Sequence, residues 1–153
     1  MASREDLGSW LDGTPRDPDG GHGVRLGLPA QGPGSLATLG PRVGGLVVDW
    51  VVATLVAYVL TGGGSLLEVP PGWQLGVFAG MTFLLVATVG GTLGHRLLGM
   101  QVRVLGAPRG AVGLWRAAVR TVLLCLVIPA VVWDRDGRGV HDRAAGTVLL
   151  RTR

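Results

Sequence analysis

The residue with the most chemistry to explain is an aspartate inside an apolar run. Asp49 lies seven residues after Arg42, within the otherwise uncharged segment 43–61. On a helix, that spacing puts the two side chains on one face, within about 20°. A carboxylate at mid-bilayer costs about 2.5–3.5 kcal/mol on insertion scales, so it calls for a partner or a proton. Arg116 and Arg120, four residues apart, share a face of a later apolar segment. The spacing predicts an intramembrane ion pair between Asp49 and Arg120, with Arg42 capping it. Two roles stay open for these charges. They set helix register and orientation, as a buried ion pair can, or Asp49 is the titratable centre of a proton or ion relay.

The C-terminal region holds the other chemistry-bearing residues. Residues 134–139 (Asp-Arg-Asp-Gly-Arg-Gly) resemble the opening of a calcium loop, but arginines interleave the acids and position twelve is Ala145 where glutamate is needed. His141 and Asp142 have no metal-ligand spacing to His22 or His95, so no metal is expected. A turn tied by Asp142 to nearby backbone or arginine is the expectation there. Cys125 stands alone in an apolar run, which excludes an internal disulfide. No phosphate-binding glycine loop with lysine and no serine in a nucleophile elbow occurs. The chain is read as non-enzymatic, and no cofactor is implied.

The elements that must position these residues follow from composition. Of 153 residues, 48% are hydrophobic and only 16% charged, against about 25% charged in soluble domains. Mean hydropathy is +0.44. These values argue against an ordinary soluble enzyme and exclude a disordered chain. The net charge of +4, carried entirely by arginine on the basic side, points to anionic lipid and topology rather than nucleic acid. Residues 1–41, with nine glycines and five prolines, predict a disordered tail without a signal peptide. Residues 42–153 form the membrane domain, with helices expected at about 43–61, 73–94 and 114–133. The first covers about 28 Å at 1.5 Å per residue, close to the bilayer core. The third has a charge-free stretch of only 121–133, broken by Pro129, short for a full span.

Arginines 25, 42, 96, 103 and 109 flank the first two segments on one side, and the loop 62–72 has none. The positive-inside rule puts the N-terminus and the second loop in the cytoplasm. Residues 101–105 and 147–151 read as short strands, and pairing them would hold loop and tail on one face. A third segment that re-enters or lies tilted in the interface satisfies both. Gly76, Gly80, Ala87, Gly91 and Gly94 form a stripe of small residues expected to pack on the first span, or else to form a homodimer face. The expected partners are the lipid bilayer and a second copy or another membrane protein.

Three features in this order resemble the RDD family of small bacterial membrane proteins, named for one arginine and two aspartates. They are Arg42 with Asp49, the run 94–104 (Gly-His-Arg-Leu-Leu-Gly-Met-Gln-Val-Arg-Val), and the closing 139–148 (Gly-Val-His-Asp-Arg-Ala-Ala-Gly-Thr-Val). Arg42 and Asp49 match the first two named positions, and Asp142 matches the third with Asp134 as competitor. The chain departs from many members at His95, where they have lysine, and in its shorter third hydrophobic region. Residues 9–11 and 25–29 look like a subgroup from high-GC Gram-positive bacteria. The resemblance implies a membrane location; hydropathy and the arginine pattern give the expected fold, an all-α integral protein of the plasma membrane, multi-pass with a cytoplasmic N-terminus. Two helices would span, a third would be membrane-embedded, and a short two-stranded β pair is allowed. The resemblance further implies a transport role without naming a substrate; the residues themselves place such a role, for ions or small solutes, at the Arg/Asp site, with Arg116, Arg120 and His141 as charge partners. The alternative is a membrane accessory or scaffold protein.

Overall fold

Pro71 sits at the first position of a helix, where its missing N–H would have had no partner and its fixed φ suits the turn. In the computed structural model, which describes residues 23–107, 111–126 and 138–153, it opens the second of two long helices. The first, α1 (Leu39–Leu60), carries Pro41 in its first turn, again without loss of a helical hydrogen bond. It stops at Thr61, and Gly62 and Gly63 follow at positive φ. The second, α2 (Pro71–Val89), ends on Gly90 at φ 74°, whose N–H returns to the Val86 carbonyl. At 22 and 19 residues they measure about 33 and 28 Å. Both are long and apolar enough to cross a membrane.

Their burial pattern is the reverse of a soluble hairpin. The inner line of α1 is Gly45, Asp49, Ala53 and Ala57, while Val47, Val51, Leu55 and Val59 on the outside are exposed. Small residues along this line let the helices approach closely. The facing line of α2 is Phe78, Thr82 and Val86. Trp50 and Phe78 meet with ring centroids 5.2 Å apart, and Gln74 donates to the Thr54 hydroxyl at 2.6 Å.

At the end where α1 begins and α2 stops, a cap is built. Short α3 (Leu93–Leu97) leads into β1 (Met100–Val104), which pairs antiparallel with β2 (Thr147–Arg151), Val102 lying opposite Leu149. The Val102 N–H donates to the Gly90 carbonyl at 2.7 Å, so the sheet is fastened to the end of α2. Helix α4 (Leu114–Cys125) packs on α2, and α5 (Val140–Ala144) packs on α4 and β2. Val86, Ala87, Met100, Val102, Val112, Ala117 and Leu149 make a common core beneath the sheet. The strand pairing read from sequence is present, and it holds the 95–105 loop and the tail at one end of the hairpin.

Three boundaries differ from the sequence expectations. Residues 1–22 lie outside the described residues, but 23–38 are built into the cap rather than loose. Ala37 N–H donates to Leu149 O and Arg151 N–H to Ser35 O, both at 2.9 Å, which gives β2 a partner on its second edge. Helix α2 stops at Val89 rather than 94, because Gly90 takes the left-handed conformation that ends helices. The stripe of small residues is thereby divided. Ala87 is buried on α2, whereas Gly91 and Gly94 belong to the turn and to α3. Gly76 and Gly80 face open space rather than α1. In the third segment the helix covers Leu114–Cys125; residues 127–137, with Pro129 and Asp134, lie outside the described residues.

Candidate functional site

Asp49 faces the start of α3. Its Oδ1 accepts the Gly94 N–H at 2.8 Å, and its Oδ2 accepts the Thr92 hydroxyl proton. The same Thr92 oxygen accepts from the His95 N–H at 3.2 Å, while His95 Nδ1 accepts the Thr92 N–H at 3.1 Å. This is a capping box in which histidine fills the place usually held by glutamate. The contact requires close backbone approach. A Cβ built on Gly94 would collide with the Gly45 carbonyl, so α3 docks on α1 only with glycine there.

A second carboxylate, Asp142, is fully buried at 0% exposure. Its Oδ1 pairs with Arg120 Nη1 and accepts the Thr147 hydroxyl at 3.0 Å. Its Oδ2 lies 3.8 Å from Arg42 Nη1 and 3.6 Å from His141 Nε2. Arg42 Nε also donates to Ala37 O at 2.8 Å, and Arg138 donates to the Thr147 carbonyl at 3.2 Å. One carboxylate therefore gathers α1, α4, α5 and β2. Arg120, wholly buried beside Arg42, is lowered to about 9, by burial first and the neighbouring guanidinium second, and stays cationic at neutral pH.

His95 joins the two centres. It is hydrogen-bonded into the Asp49 cap and feels Arg120, Arg42 and His141 from the Asp142 cluster. Burial above all, then Arg120, Arg42 and His141, push it down to about 3, so it is neutral at physiological pH. The site thus holds two carboxylates, two histidines and three arginines at one end of the hairpin.

The sequence pairing of Asp49 with Arg120 is not formed, and Arg42 does not cap Asp49. The physical reason is α3, which folds against α1 and satisfies the Asp49 carboxylate with the Thr92 hydroxyl and the Gly94 N–H. Arg42 and Arg120 both turn to Asp142 instead. His141 joins them, but Arg116, one turn earlier on α4, is exposed and outside the cluster. Thr92, His95, Arg138 and Thr147 were not singled out as members. The Thr92–His95 spacing of three was the signal available for a capping box. Among the described residues, no three His, Cys, Asp or Glu side chains form a group that could hold a metal.

No family model, curated protein or solved structure matches the chain.

Proposed function

We propose that this chain is a multi-pass protein of the bacterial plasma membrane, of RDD type, whose buried Arg/Asp site takes part in moving ions or small solutes. The observation that carries this is the fully buried Asp142 with Arg42, Arg120 and His141 around it. A buried ion pair is weak as a stabilising device, since apolar replacements of similar volume are often neutral or better. Keeping so many ionisable groups at the end of a membrane hairpin therefore favours a functional role. The apolar exterior of α1 and α2 supports the bilayer location. The arginines near the cap, on α3, β1 and β2, support a cytoplasmic cap by the positive-inside rule. The proposed role is non-enzymatic.

Reconstitution in proteoliposomes tests the transport role. Ion or proton flux above that of protein-free vesicles is expected, and it should fall in D142N and D49N variants that elute and melt as folded protein. Flux equal to empty vesicles, or undiminished in both variants, overturns it. One observation favours the accessory reading as well: Gly76 and Gly80 leave open space on the outer face of α2. Another transmembrane helix fits that space. Loss of a cross-linked dimer or of a co-purifying membrane protein in Gly80→Leu would support it.

A further inference from the structure

We propose that the groove between the first turn of α4 and α5 is a binding site for the phosphate headgroup of an anionic membrane lipid. The groove has a volume of about 550 Å³ and is lined by Arg116 from α4 and Arg143 from α5. The Arg116 guanidinium reaches over Gly146, its Nε lying 4.0 Å from where a Cβ would stand. Among the described residues, no acidic side chain lines the groove. Arg42 and Arg120 are answered by Asp142, but among the described residues neither Arg116 nor Arg143 has an ion pair or side-chain hydrogen bond. Two exposed arginine forks converging on one concavity match a phosphate. The first turn of α4 adds to the field, because it has no side-chain cap and no acid.

The apolar surface beside the groove selects a lipid over a free ion. Leu114 and Trp115 are 67% and 79% exposed, and Val122 and Leu126 continue the same side at 61% and 60%. At 100° per residue, Trp115, Val122 and Leu126 fall within about 40° of one another. The opposite face of α4, with Ala117, Arg120 and Thr121, is buried. A helix with one apolar face, an aromatic at its start and arginine at the stripe's edge suits the headgroup boundary. There the acyl chains can follow the stripe while the phosphate enters the groove. Inorganic phosphate would leave the stripe unused.

Given the bilayer location proposed above, carbonate extraction of membranes comes first, and recovery of the chain in the soluble fraction would sink both ideas. For protein that stays with the membrane, native mass spectrometry of the full chain in neutral detergent counts bound lipid during titration with phosphatidylglycerol or phosphatidylcholine. Phosphatidylglycerol should bind in preference, and the double variant Arg116→Gln/Arg143→Gln should weaken it about thirtyfold, near 1 kcal/mol per arginine. Trp115→Ala should weaken the lipid too. Arg151→Gln, exposed at the end of β2, removes one charge and should leave the preference unchanged. Equal loss in Arg151→Gln would mean diffuse attraction and overturn the site. So would full binding in the double variant. Displacement by millimolar inorganic phosphate with Trp115→Ala indifferent would assign the groove to the free ion and overturn the lipid.

Discussion

Arg120 is bound to Asp142 and not to Asp49, and a pair of double-mutant cycles separates the two arrangements. Asp142→Ala strips the counter-charge from Arg120 and Arg42, whose side chains are 3% and 9% exposed. Breaking a buried pair from one side costs about 3–5 kcal/mol. At about 2–4 °C per kcal/mol for a chain of this size, the melting temperature should fall by about 6–20 °C. Adding Arg120→Met removes the stranded charge, and the double variant should recover about 2–3 kcal/mol, the upper range for directly coupled residues. Recovery stops short of wild type because Arg42 remains near the site. The Asp49→Ala/Arg120→Met cycle should show a coupling well below that of Arg120–Asp142, because the two side chains make no direct pair and communicate only through His95. Charge reversal follows the same logic: Arg120→Asp with Asp142→Arg should restore part of the fold, and Asp49→Arg with Arg120→Asp should not. Thermal unfolding in a single detergent, followed by circular dichroism, reads all of these. Coupling at Asp49–Arg120 larger than at Arg120–Asp142 would refute the assignment of partners.

Two further predictions concern packing and pH. Gly94→Ala should destabilise by about 1–3 kcal/mol through overpacking against the Gly45 backbone, whereas Gly76→Ala, with open space around it, should be neutral or stabilise by about 0.5–1 kcal/mol; comparative melts check both. His95, at about 3 when folded against 6.5 ordinarily, binds more protons unfolded than folded between those values. Its contribution is therefore full above pH 6.5 and is lost as pH falls towards 3. Between pH 7.5 and 5.5 the loss amounts to about 1 kcal/mol. His95→Gln keeps a capping-box residue and should flatten that slope in a stability-versus-pH series; an unchanged slope would clear His95.

Much of the architecture was legible in the chain itself. Pro71 and Gly90 punctuate α2, and glycines 62–64 end α1, because proline and left-handed glycine act locally whatever surrounds them. The strand pair 100–104 with 147–151 could be anticipated because alternating β-branched residues carry a strand preference that survives long sequence separation. Arg42, Asp49 and Arg120 could be marked as charges needing partners, since an apolar setting makes any ionisable group conspicuous, whereas Asp142 was marked only by the family resemblance and as a turn residue. Their pairing could not be read. Periodicity places residues on the face of one helix but says nothing of which element covers that face. The five-residue α3, too short to announce itself by period, inserts a hydroxyl and a backbone N–H at Asp49. Residues 23–38, Gly- and Pro-rich, carry no hydrophobic repeat, yet their backbone finds the free edge of β2. Sequence thus marked Asp49 and Arg120 as charges in need of partners, while tertiary structure decided what those partners are, because hydrogen-bond donors from distant segments satisfy a carboxylate as well as a cation does.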